Sequence, residues 1–172
     1  MSLSALGDLA ARKALPRLVT AAAEEDDDLL AHAALARARL SDPDAPVALA
    51  AALPRVGDVN LRCAVMHALA KERTPLAARA LLESYDAIRS RICCATALHT
   101  LRDPSTLPFI LEHLAAEPYT TVQVALIRAL GTIGDPTALP TLRSLREVSS
   151  EAEVMHAIDA ILPALERTPP GT

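Results

Sequence analysis

The chain has 172 residues and a formal net charge of −4; 51% of it is hydrophobic, yet only 2% is aromatic. A chain of this length buries roughly 70% of the surface its unfolded form exposes, so stability requires neither a metal nor disulfides. The mild acidity weighs against general attraction to nucleic acid or anionic membrane. Abundant Ala and Leu beside scarce strand-favouring residues exclude a sheet protein and predict an all-α fold.

In chain order, Met1 to Asp8 show no basic region followed by an apolar run, so no signal peptide is expected. No stretch reaches the roughly 18 uninterrupted apolar residues of a membrane span. A short piece at 2–7 leads to a helix at 10–23. The acidic run Glu24-Glu25-Asp26-Asp27-Asp28 reads as a solvated loop whose last Asp caps the next helix; its alternative reading is a docking site for a basic partner. Helix pairs are predicted at 28–40 with 44–55, 59–71 with 75–84, 87–101 with 104–116, and 119–133 with 136–147. A last helix spans 150–165, with Ser149 or Ser150 and Glu153 spaced for a capping box. Pro163 is expected to kink or end that helix. Residues 1–168 read as a single domain, and Pro169-Pro170-Gly171-Thr172 as a disordered tail.

The order is clearest in the punctuation. Asp42-Pro43, Thr74-Pro75, Asp103-Pro104 and Asp135-Pro136 each close one helical run and open another, with the prolines 32, 29 and 32 residues apart. An Asp or Thr oxygen can cap free backbone N–H groups, and Pro suits the first helical position. A period near 30 marks a stacked helical array. The first helix of each pair repeats as well: Val122, Ala125, Ala129, Leu130 and Ile133 recur as Leu61, Ala64, Ala68 and Leu69, and as Ser90, Cys93, Ala97, Leu98 and Leu101. These positions fall on one helix face, with small residues in its middle.

The run from Val122 to Leu142 resembles the HEAT-like repeat, and more narrowly its short bacterial form named after phycobilisome lyases. The resemblance covers about residues 8 to 166. It implies a right-handed α-solenoid of about five antiparallel helix pairs, with the second helix of each pair lining a concave side. An ankyrin reading rests on Thr74-Pro75-Leu76-Ala77-Ala78 alone, and tetratricopeptide repeats need recurrent Trp, Tyr and Phe.

Candidate chemistry is thin. Deoxyhypusine hydroxylases carry His-Glu pairs for iron, whereas this chain has only Glu112-His113, in reverse order. His32, Cys63, His67, Cys93, Cys94, His99 and His156 lie on first helices without metal-ligand spacing. Cys63 and Cys93 therefore read as small core residues, and three cysteines, two of them adjacent, suit a reducing cytoplasm better than a secreted disulfide framework. No nucleophile elbow or Gly-rich phosphate loop occurs. Arg12, Lys13, Arg17, Arg79, Arg143 and Arg146 interleave with Glu83, Glu112, Glu117 and Glu147, which is unlike a phosphate-tracking groove.

These readings converge on a cytoplasmic, non-catalytic scaffold or adaptor that needs no cofactor or metal and binds a protein rather than nucleic acid or membrane. The family-level alternative is a lyase-like or chaperone-like factor acting on a cofactor-bearing partner. Placing Leu142 in the core puts a peptide- or helix-binding groove on the opposite face of the second helices. Its residues are Val47, Ala51, Leu76, Arg79, Glu83, Ser105, Pro108, Phe109, Glu112, Thr137, Pro140, Thr141 and Ser144. Leu3 and Leu6 belong to an incomplete first pair, so the molecule is expected to be a monomer or a weak end-to-end dimer.

Overall fold

A computed structural model describes residues 27–85 and 88–168. The expected helix at 10–23, the piece at 2–7 and the tail at 169–172 lie outside the described residues. The helices are α1 (Asp27–Arg39), α2 (Ala45–Ala52), α3 (Val59–Glu72), α4 (Pro75–Glu83), α5 (Arg91–Leu101), α6 (Leu107–Ala116), α7 (Thr120–Ile133), α8 (Leu139–Val148) and α9 (Ala152–Arg167). Short 3-10 turns at Ile88–Ser90, Pro104–Thr106 and Pro136–Ala138 precede α5, α6 and α8. The fold is an all-α solenoid.

One turn repeats along the chain and sets the period. Ser41, Arg73, Arg102 and Gly134 adopt φ of 52°, 49°, 56° and 76°, each two residues ahead of a punctuating proline. A left-handed residue ends a helix by turning its last carbonyls to new donors; the N–H groups of Arg102 and Gly134 reach the carbonyls of Leu98 and Leu130. The next residue but one is Pro, preceded by a capping side chain. Thr74 accepts from the N–H of Ala77, Asp103 from Ser105 and Asp135 from Thr137. Asp42 makes the equivalent bond to the N–H of Asp44 at 3.0 Å, but α2 starts at Ala45, two residues beyond Pro43.

First helices α1, α3, α5, α7 and α9 stack in one layer, and α2, α4, α6 and α8 in the other. The first layer is closely stacked from α3 onward because its contact faces are small. Ala95, Ala97, Ala125 and Ala129 are buried there, and a Cβ added to Gly131 would stand 2.6 Å from Cγ2 of Ile161 in α9. Between α5 and α7, backbone is close enough for side chains to cross: His99 Nδ1 lies 3.2 Å from the Arg128 carbonyl, and the Thr132 hydroxyl donates to the His99 carbonyl at 3.3 Å. Between the layers run fully buried Leu49, Leu69, Leu81, Leu98, Ile110, Leu114, Leu126 and Leu130. Each stabilises the fold by about 1.5–3 kcal/mol relative to an exposed side chain. Second helices touch each other at few places, so clefts open between them.

Four expectations are corrected. Asp28 lies inside the first turn of α1 rather than capping it, and Asp27 pairs with Arg55 at 2.5 Å. The helix containing Pro163 continues to Arg167; the exposed pyrrolidine forgoes one backbone bond without stopping it. Residue Glu151, not a serine, precedes that helix and makes no side-chain cap. The capping box is thus absent: the Ser149 hydroxyl accepts only from the N–H of Glu151, at 3.2 Å.

The fourth concerns the cysteines. Cys63 in α3 and Cys93 in α5 form a disulfide across adjacent first helices, with their Cα atoms 5.3 Å apart. The small core residue is instead Cys94: it is fully buried and its thiol donates to the Leu81 carbonyl at 3.1 Å. Burial pushes that thiol up to about 12. Neighbours in sequence thus point opposite ways, one into the core and one across the stack.

Candidate functional site: a second-helix cleft and an aromatic lock

The candidate groove residues lie on second helices or the turns that start them. Val47 is 62% exposed, and Ala51, Arg79, Glu83, Ser105, Pro108, Glu112, Thr137, Pro140 and Ser144 are also exposed. Leu76 and Thr141 are half-buried. The structure gathers three of them into one concavity. Pro140, Thr141 and Ser144 of α8, with Leu145 and Val148, face Ala115 of α6 across a cleft of about 390 Å³. It exists because Ala115 and Ser144 are too small to close the gap between two loosely stacked helices. Val148 at its rim is 78% exposed. The lining carries no charge, and the Thr141 and Ser144 hydroxyls are its polar side-chain groups. The remaining candidates, from Val47 to Thr137, lie outside this cleft.

Charge is neutralised around it. Arg143 pairs with Glu166 at 2.8 Å, and Arg146 with Asp159 at 2.5 Å. The Arg146 guanidinium holds the Asp159 carboxyl below the usual carboxylate range. Arg146 therefore reaches out to α9. Two of the second-helix cations available to a phosphate backbone are occupied by carboxylates.

Phe109 is engaged within the fold. It is half-buried, its ring stacks on His113 at 3.8 Å, and Tyr85 packs edge-on against it at 5.3 Å. Tyr85 in turn meets His113 at 5.0 Å and lies under the Arg91 guanidinium at 5.5 Å. Its hydroxyl donates to buried Glu117 at 2.8 Å. Glu117 also accepts from the backbone N–H of Tyr119 at 3.2 Å and stands 3.6 Å from Arg91 Nη1. Burial first, and then Glu117, raise the pKa of Tyr85. Tyr85 and Glu117 are 32 residues apart, one repeat period, so this is a lock between successive inter-repeat turns. That spacing was the signal available in the sequence, and the pair was not recognised from it.

Among the described residues no group of three His, Cys, Asp or Glu is placed to hold a metal ion. No described helix is long and apolar enough to cross a membrane.

A family model describing HEAT repeats matches residues 86–162, the segment holding α5 to α8 and most of α9. This segment consists of HEAT-like repeats. The match includes the aromatic lock from Arg91 onward and the whole α6–α8 cleft. HEAT repeats generally mediate protein–protein interactions and are typically non-catalytic. No curated protein and no solved structure matches the chain.

Proposed function

We propose that this HEAT-like protein is a non-catalytic scaffold or adaptor that holds a peptide or helix of a protein partner along its second helices. In this reading an apolar side chain of the partner enters the α6–α8 cleft. The observation that carries it is that cleft: uncharged, about 390 Å³, and rimmed by exposed Val148 and Pro140. Ligand sites run from about 300 Å³ upward, so there is room for one large aliphatic or aromatic side chain. Desolvating it against Leu145 and Val148 supplies about 25 cal/mol per Å² of apolar area. Thr141 and Ser144 offer hydroxyls to the backbone of the same segment.

Exposed Arg79 and Glu83 on α4 and Glu112 on α6 form a charged rim that sets register. Nucleic acid and membrane have no part in this reading. The molecule acts in the cytoplasm, as a monomer or a weak end-to-end dimer. A displayed peptide library selected on the purified protein tests it. Selected peptides should share one apolar residue and lose binding at least tenfold to Ser144→Trp, which fills the cleft. Peptides that bind Ser144→Trp and Val148→Asp as well as the native protein would refute the cleft as the anchor site.

A further inference from the structure

The Cys63–Cys93 bond joins two successive repeats at their first helices, and nothing in the binding reading accounts for it. Both residues are half-buried, so the sulfurs are not sealed in the core, whereas Cys94 beside them is fully buried. The bond spans 30 residues, close to one repeat. It therefore ties α3 to α5 directly, where the other interhelical contacts of that layer are non-covalent. Folding of a chain this long does not depend on a cross-link.

We propose that Cys63 and Cys93 form a reversible thiol–disulfide switch, acted on by glutathione-type thiols, that stiffens or loosens the α3–α5 junction while the fold persists. In the reducing direction a thiolate attacks one of the two sulfurs. The S–S bond breaks, a mixed disulfide forms and the other cysteine leaves as thiolate. A second thiol then displaces the first from the mixed disulfide. The protein disulfide takes up two electrons and two protons, and two small thiols become one small disulfide. Cys94 stays out of the exchange, because only a thiolate attacks and its thiol is held protonated and buried. With α3 and α5 carrying α4 and α6 behind them, the bonded form holds the second-helix face more rigidly around Arg79 and Ser105.

The test uses the whole chain equilibrated in glutathione buffers of graded redox poise. After oxidised equilibration, alkylation in denaturant should find one thiol, and after reduced equilibration three. In native buffer, reduced glutathione should expose two thiols to iodoacetamide with the far-UV circular dichroism unchanged and Cys94 unlabelled. Reduction should lower Tm by roughly 5–15 °C, as opening a loop of this size predicts, and speed amide exchange in α3 and α5. Cys63→Ala with Cys93→Ala should match the reduced protein and ignore redox poise. Three thiols in every buffer would overturn the proposal, and so would a bond that yields to glutathione only after denaturant unfolds the chain.

Discussion

Gly134 offers the most decisive test of the repeated turn. It closes α7 at φ 76°, and a Cβ built there meets nothing within 4 Å. Gly134→Ala therefore adds no clash; its entire cost is the left-handed backbone, about 1–2 kcal/mol for an L-residue. Alanine also restricts the unfolded chain, which returns about 0.4–1 kcal/mol. The net expectation is a loss of about 1 kcal/mol, or a Tm lower by about 2–4 °C for a chain of this size. The same position one repeat earlier is Arg102, exposed and at φ 56°. Arg102→Gly should run the balance backwards and gain about 0.5–1 kcal/mol, relieving strain and losing some unfolded-state restriction. Urea denaturation of the two variants beside the native protein gives both values from midpoints at constant slope. If Gly134→Ala leaves the midpoint unchanged, or if both variants shift it the same way, the turn does not set the period by backbone conformation.

Three further outcomes are expected. Tyr85→Phe removes the hydroxyl that Glu117 accepts from in a buried site and should cost about 1–3 kcal/mol, measured by urea denaturation. Alkaline stability has a defined sign: Cys94 and Tyr85 both have folded pKa values raised above their unfolded ones. Their contribution is intact below about pH 9 and is lost as pH rises; a pH series of Tm should fall above that point, less steeply in Tyr85→Phe, and a flat series to pH 11 would contradict it. Pro163→Ala restores a backbone donor inside α9 at an exposed position and should stabilise by up to about 3 kcal/mol, read from calorimetry.

How much of this was legible in the sequence follows from how local each signal is. The helix pairs were readable because the Asp-Pro and Thr-Pro caps, and the small-residue face of the first helices, act within a few residues of themselves. The left-handed residues were not recognised, since Ser41, Arg73 and Arg102 are not the glycines such positions favour; only Gly134 advertises the turn. Pro163 does not end α9, because its local penalty of about 3 kcal/mol is offset by the packing that holds the helix. That helix buries Val154, Ala157, Ile158 and Leu165, enough apolar side chain to keep it intact across one missing bond.

What the residues could not announce are partnerships made at a distance of one repeat. Cys63 and Cys93, like Tyr85 and Glu117, sit about one period apart, so stacking brings each pair side by side although nothing local links them. In a solenoid the repeat offset is itself a contact map between neighbours. A Cys at one position and a Cys about 30 residues on are candidates for a bond; a buried Tyr and a Glu 32 residues on are candidates for a hydrogen bond. The α6–α8 cleft follows the same logic in the negative. Ala115 and Ser144 lie 29 residues apart on stacked second helices, and two small side chains in facing positions leave the space that a partner is proposed to fill.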